Sequence, residues 1–174
     1  MPTNEAARLK ELRSFGILDS LPDQAYDDIV HLAAFICETP IALVSLVDEH
    51  RQWFKAKHGL SASETPRELA FCAHALEHPD EFFIVADTHA DPRFASHALV
   101  TSAPFIRFYA GAPLVTSQKN VLGTLCVIDC VPRRLNSAQK VALHALSRQV
   151  VALIEAGRPA SSTLAELPDC RSGQ

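Results

Sequence analysis

The chain has 174 residues, of which 48% are hydrophobic and 21% are charged, so it is long and apolar enough for one globular domain with a substantial core. A net charge of -4 and an isoelectric point near 6.0 argue against nucleic acid or an anionic membrane as partner. No stretch approaches the roughly 18 consecutive apolar residues of a membrane span, and the N-terminus lacks a signal-peptide pattern, so we expect a cytoplasmic protein.

The N-terminal part of the sequence predicts two helices. Thr3 or Asn4 can cap a short first helix, and Gly16 is placed to end it. A second helix opens near Ser20, carries apolar residues at helical spacing, and is closed by Pro40.

A β-hairpin and a third helical segment are predicted next. Segments 41–47 and 51–58 form the two strands, since the first is apolar throughout and the second alternates. The sequence at 65–68 matches a capping box and predicts a helix that runs to Pro79, with the alternative that only 73–77 is helical.

A short strand and a small helix precede the centre of the fold. Segment 82–86 predicts a short central strand, and Asp91 followed by Pro92 predicts the start of a small helix near Phe94.

The two runs 108–115 and 121–128 are β-branched or apolar and flank a polar turn, which predicts an antiparallel hairpin at the centre of a sheet. Both faces of these strands are apolar, so helices must cover the sheet on both sides. The expected fold is therefore of α+β type, with five to six antiparallel strands flanked by helices on both faces.

The C-terminal part of the sequence predicts a last helix and a tail. Asn136 forms a capping box with Gln139, and Gly157 ends the helix. We expect a single domain at 1–158 and a flexible tail at 159–174.

Five cysteines in a chain with no secretory signal predict free thiols and no disulfide framework. The closest pairs of metal-ligand type are Cys72 with His74 and Cys126 with Cys130. Two residues apart on a helix, Cys72 and His74 point to different sides, so we expect no metal site.

Alternation along the strands predicts a face that carries an aromatic platform and a cation, which suits a purine or an acidic heterocycle. Arg107 could instead pair with Asp87 or Asp91, and Tyr109 could simply fill the core. The residues expected to share the face are Arg107, Tyr109, Trp53, Lys55 and Lys57.

Several stretches together resemble one known family. The runs RQWFKAKHGL, ETPRELAFCAHAL, VADTHADPRF, RFYAGAPLV and GTLCVID are similar to those of the GAF domain of bacterial sensor proteins, a PAS-related fold, over residues 4–157. The resemblance implies that the first and last helices pack on one face of the sheet. It also implies a small-molecule pocket on the other face, roofed by the segments around Cys72 and Phe94.

The resemblance further implies a non-catalytic module that senses a small molecule, forms a homodimer through its terminal helices and acts on a signalling effector protein. The expected ligand is a cyclic nucleotide or another small planar molecule. The residues expected to bind it are Trp53, Cys72, His74, Asp87, Phe94, Arg107, Tyr109 and Cys126.

An alternative function is a thiol-dependent enzyme that resembles free methionine-R-sulfoxide reductase. In that case Cys72 acts as a thiolate whose pKa His74 lowers from its usual value of about 8.5. Two further roles for Cys72 stay open, namely packing as a small hydrophobic residue and covalent attachment of a bilin.

Overall fold

A computed structural model describes residues 4–158, which form a six-stranded antiparallel sheet between a layer of helices and a layer of short segments. The strands are β1 (Ile41–Val47), β2 (Arg51–His58), β3 (Glu64–Pro66), β4 (Phe83–Val85), β5 (Phe108–Val115) and β6 (Val121–Asp129), in the order β3-β2-β1-β6-β5-β4. The helices are α1 (Glu5–Ser14), α2 (Gln24–Cys37), α3 (Ala98–Thr101) and α4 (Ser137–Ala156), and two 3-10 helices span Arg67–Leu69 and Phe71–Glu77. The α+β fold predicted from the sequence is confirmed, whereas the predicted tail at 159–174 and the possible cap Thr3 lie outside the described residues.

Side-chain caps begin the three longer helices, as the sequence indicates for two of them. Asn4 accepts a hydrogen bond from the Ala7 amide at 3.2 Å, and Asn136 exchanges bonds with Gln139 in a complete capping box. The predicted start of α2 at Ser20 is wrong, because Asp23 is the residue that caps this helix. Within residues 4–158, no helix combines the length and hydrophobicity needed to cross a membrane.

The region predicted as a helix from 65–68 is instead a strand followed by two 3-10 helices. Pro66 has an extended backbone and pairs with Arg51 of β2, and it makes no side-chain cap. The pairing with β2 therefore overrides the local helix signal. Two neighbouring predictions also change: 83–85 is an edge strand rather than a central one, and the small helix begins after His97 rather than near Phe94.

The sheet separates two hydrophobic cores. The helix-side core packs α1, α2 and α4 against one face and includes Phe108, Leu125 and Val127. The roof-side core lies on the other face, beneath residues 67–77 and 91–106, which we call the roof, and it includes Tyr109 and Cys126. β5 and β6 are buried almost throughout, which confirms that both faces of the central hairpin are covered.

Two irregularities in strand pairing move side chains away from the faces that simple alternation predicts. In β2, Val44 pairs with Ala56 but Ser45 pairs with Phe54, so Lys55 is an extra residue and Trp53 lies in the helix-side core. A β-bulge of this kind interrupts the two-residue alternation locally.

The second irregularity lies between β5 and β6. Pro113 pairs with Thr124 and Val115 pairs with Val121, so β6 contains one residue more than β5 across this interval. Leu122 consequently faces the helix-side core, rather than sharing a face with Cys126 as alternation predicts.

Candidate functional site

A cavity of about 380 Å³ lies between the roof-side face of the sheet and the roof. Strands β1, β2, β5 and β6 contribute its floor, while the 60–62 loop, β3, the 3-10 helices and the 99–106 segment contribute its walls. Among residues 4–158, every residue that lines it is uncharged. Its apolar lining includes Ile41, Leu43, Phe54, Leu69, Phe71, Leu99, Ile106 and Ile128.

A small number of polar side chains also line the cavity. Gln52 and Thr65 are a cross-strand pair of β2 and β3, and the Thr65 hydroxyl donates to Gln52 Oε1 at 3.4 Å. The Tyr109 ring lines the cavity, but its hydroxyl lies 3.1 Å from Thr124 Oγ1 inside the core. A concave apolar site with few polar groups is the usual form of a small-molecule site.

The two predicted cysteines are buried beside the cavity and do not line it. Cys72 Sγ lies 3.4 Å from Ser45 Oγ, and both Cys72 and Cys126 are fully buried. Burial raises the pKa of each thiol to about 12, because desolvation disfavours the charged form. Both are therefore protonated thiols at neutral pH, and His74 does not supply the lowered pKa that a thiolate at Cys72 requires.

His74 and Phe94 belong to an aromatic cluster that supports the roof. The Phe94 ring stacks on Phe71 with centroids 4.6 Å apart, and Phe71 stacks on Tyr109 at 5.3 Å. His74 contacts Phe94 edge-on at 5.2 Å and stacks on Phe83 at 5.4 Å. Of this cluster, only Phe71 and Tyr109 reach the cavity.

Arg107 and Asp87 pair with each other at a half-buried position, and neither lines the cavity. Arg107 Nη2 lies 3.1 Å from Asp87 Oδ1, and Nε of the same arginine donates to the same oxygen at 3.1 Å. This is one of the two partners that the sequence allows for Arg107.

The predicted combination of Trp53, Arg107 and Tyr109 on one face is wrong. The extra residue Lys55 leaves Trp53 on the opposite side of the sheet, and the Lys55 ammonium donates to Ser20 and to the Leu21 carbonyl there. Of the eight predicted site residues, Tyr109 alone lines the cavity.

Sequence reasoning missed Gln52 and the apolar walls. Gln52 is a polar residue at a buried position of a strand. Such a residue can indicate a binding site in the sequence, because buried polar groups need hydrogen-bond partners. Leu99 belongs to the one-turn helix α3 and Ile106 to the loop after it, and both stretches are too short to show a periodic pattern. Among residues 4–158, no cluster of three His, Cys, Asp or Glu side chains is placed to hold a metal ion.

A charged network connects the roof to α1. Arg8 is fully buried and donates to both carboxylate oxygens of Glu5 at 2.8 Å and to the Val47 carbonyl at 2.7 Å. Arg67, between the cavity-lining residues Thr65 and Leu69, donates to the same Glu5 carboxylate at 2.6 Å. Glu5 therefore bridges a roof arginine and a core arginine.

This network predicts a specific acid sensitivity. Hydrogen bonds from Arg8, and then from Arg67, lower the pKa of Glu5 from 4.5 to about 2. The folded-state pKa is depressed, so the stabilisation is present above pH 4.5 and is lost as the pH falls towards 2. Because Glu5 is partly exposed, we expect the ionised carboxylate to contribute about 1 kcal/mol to the free energy of unfolding at pH 7.

The measurement is urea unfolding of the wild type and Glu5→Gln at pH 7 and at pH 3. The stability difference between the two proteins should shrink on acidification. Glu49→Gln is the control, since its pair with Arg13 is exposed. An equal stability difference at both pH values would show that the Glu5 pKa is not depressed.

The chain is similar to known proteins in both sequence and fold. The sequence profile of the GAF domain family matches residues 21–154. A Pseudomonas aeruginosa protein named as a cyclic di-GMP phosphodiesterase is 42% identical over 154 residues, which make up 88% of this chain and 26% of that protein. The chain thus spans about a quarter of the length of that relative.

Solved structures of the same fold have lower sequence identity. The GAF domain of an Acinetobacter phosphoenolpyruvate-protein phosphotransferase has a TM-score of 0.63 and 19% identity, covering 90% of this chain and 95% of that one. A type II free methionine-R-sulfoxide reductase from Thermoplasma acidophilum has a TM-score of 0.58 and 11% identity, covering 78% and 95%. At these identities the likeness shows the fold alone.

Proposed function

Since this chain belongs to the GAF domain family, we propose that it is a non-catalytic sensing module that binds a small molecule in the cavity beneath its roof. The observation that carries the proposal is the cavity itself, whose lining within residues 4–158 is uncharged and contains no thiol, carboxylate or imidazole. Such a lining can hold a molecule but offers no general base that would activate its hydroxyl groups as nucleophiles. In this proposal, ligand binding regulates the activity of a signalling effector. The Pseudomonas aeruginosa relative, which is named as a cyclic di-GMP phosphodiesterase, is an example of such an effector.

The alternative function is a thiol-dependent reductase, and the state of the two core cysteines argues against it. Sulfoxide reduction by a cysteine needs an accessible thiolate. Cys72 and Cys126 are fully buried, and burial raises the pKa of both thiols to about 12. The fraction of thiolate at neutral pH is accordingly negligible.

We therefore expect no turnover of free methionine sulfoxide in the presence of dithiothreitol. The measurement is chromatographic detection of methionine, with the wild type, Cys72→Ser and Cys130→Ser compared with buffer. Cys130 is the exposed thiol among residues 4–158 and controls for adventitious chemistry. Turnover above buffer that is abolished by Cys72→Ser and retained in Cys130→Ser would establish the reductase and overturn the sensing proposal.

We also propose that the module forms a homodimer through its terminal helices. On α4, Leu143 and Val150 pack into the helix-side core, whereas Val141 is 70% exposed and Ala152 and Ala156 are exposed. This second side carries small apolar residues, which allow close approach of a partner helix.

The expected mass by light scattering at tens of micromolar is about 38 kDa, twice the 19.0 kDa of the chain. Ala152→Glu should shift the protein to the monomer, because it places a charge in the contact. Ala62→Glu, an exposed loop position at the cavity, is the matched control and should stay dimeric. A wild-type monomer, or a dimer unaffected by Ala152→Glu, would contradict this interface.

A further inference from the structure

We infer that the cavity selects a neutral, mainly apolar molecule of about two fused rings that carries one hydrogen-bond acceptor, rather than a nucleotide or another anion. The inference rests on the proposed function, because it specifies the chemical class of ligand for that same cavity. Three features carry it, namely the charge of the lining, the state of Gln52, and the volume.

The lining offers no compensation for a ligand charge. Among residues 4–158, no lysine, arginine or histidine lines the cavity, and cations close to it in sequence are already bound. Arg51 pairs with Asp19 and Glu64, and Arg107 pairs with Asp87. Lys57 donates to the Ser61 and Ala62 carbonyls at 2.5 and 3.1 Å, and Arg67 is held by Glu5 and the Asp48 carbonyl. An anion in the cavity would lose its hydration without gaining a partner, which is strongly unfavourable.

Gln52 supplies the polar contact. Its side chain is more than nine-tenths buried and lines the cavity, and its only hydrogen bond to residues 4–158 is the one that Oε1 accepts from Thr65. The Nε2 group therefore has no partner within that part of the chain. A ligand carbonyl or ether oxygen in the cavity would accept a hydrogen bond from this free donor.

The volume and the walls limit the size and shape of the ligand. About 380 Å³ is near the lower end of the roughly 300 to 1,000 Å³ that is usual for ligand sites. The aromatic rings of Phe71 and Tyr109 both line the cavity, which favours a planar molecule. A fused bicyclic compound suits these limits, whereas a dinucleotide exceeds them.

The test uses the neutral fluorescent ketone 6-propionyl-2-dimethylaminonaphthalene, whose emission shifts to the blue in an apolar site. We expect saturable binding with one site per chain. Two competitors that differ mainly in charge then measure the effect of ligand charge on binding. Methyl 2-naphthoate, which is neutral, should displace the probe at a concentration at least about tenfold lower than the 2-naphthoate anion. Cyclic AMP should not displace it.

Variants locate the binding in the cavity. Leu99→Trp fills the space from the roof and should abolish probe binding, and Leu32→Trp on the exposed side of α2 is the matched control. Ala62→Trp, at an exposed position of the lining, repeats the test where folding is least affected. Gln52→Leu should weaken the ketone about fivefold and shift its emission further to the blue, because the hydrogen bond is lost.

The outcomes separate this inference from the proposed function. If 2-naphthoate or cyclic AMP displaces the probe as well as the neutral ester does, the inferred ligand class is wrong and the sensing function stands. Probe binding that survives both Leu99→Trp and Ala62→Trp lies elsewhere and also overturns the inference. If none of the four compounds binds, the cavity is not a ligand site and the proposed function falls as well.

Discussion

Gly123→Ala should destabilise the domain by at least about 3 kcal/mol, although the substitution only adds a methyl group. Gly123 lies in β6 opposite Leu46 of β1, at the centre of the sheet. A Cβ added there would lie 1.9 Å from the Ser45 carbonyl oxygen and 2.8 Å from its carbon. These are backbone atoms of a strand that is paired on both sides, so no side chain can move to relieve the clash.

The matched control is Gly157→Ala at the end of α4. There the nearest atom to an added Cβ is the Leu153 carbonyl oxygen at 3.3 Å, and the backbone has φ of -82°. We expect a change within about 0.5 kcal/mol. Urea unfolding followed by circular dichroism measures both variants, and equal midpoints would refute the close approach of β6 to β1.

Arg8→Met should cost about 3 kcal/mol, because it removes a fully buried guanidinium that has several partners. The Val47 carbonyl loses its 2.7 Å donor from Arg8, and the Glu5 carboxylate keeps only Arg67. Methionine fills most of the same volume, so the expected loss of stability comes mainly from lost hydrogen bonds and ion pairing rather than from a cavity.

Arg13→Met on the same helix serves as the control. Arg13 is about half exposed and pairs with the exposed Glu49, and such surface pairs contribute at most about 1 kcal/mol. The measurement is again urea unfolding at pH 7. A loss for Arg8→Met no larger than for Arg13→Met would mean that the buried network does not stabilise the attachment of α1.

Local patterns are sufficient to predict most elements of this fold. The strands at 41–47 and 51–58 begin and end at the predicted residues, since apolar runs bounded by turn residues are strong signals. The capping box at Asn136 likewise marks the start of α4, because its two hydrogen bonds depend on residues three positions apart.

Features that depend on pairing between distant segments could not be predicted in this way. The extra residue Lys55 in β2 is defined only by its register against β1, and it reverses the expected face of Trp53. Pro66 carries a helix-start pattern but pairs as a strand with Arg51. A single sequence holds no local trace of either partner.

The candidate site was the least predictable part for the same reason. Most predicted ligand residues carry reactive, charged or aromatic side chains, whereas the cavity is lined mainly by aliphatic ones. Cys72 and Arg107 find partners within the protein, Ser45 and Asp87, and so are not directed at a ligand. Tyr109 was predicted correctly as a residue of the roof-side face because the alternation of β5 is unbroken there.

The contact of Arg67 with Glu5 sets a limit on how strongly the cavity can communicate with α1. Suppose that a ligand binds the form in which Arg67 and Glu5 are paired more tightly than the form in which they are separated. By thermodynamic reciprocity, the ligand then shifts the pairing equilibrium by the ratio of those two affinities. A partly exposed ion pair supplies about 1 kcal/mol, so this contact by itself transmits a ratio of about fivefold. A larger response in α1 would require a change in the ion pair of the buried Arg8 as well, since Arg8 binds the same Glu5 carboxylate.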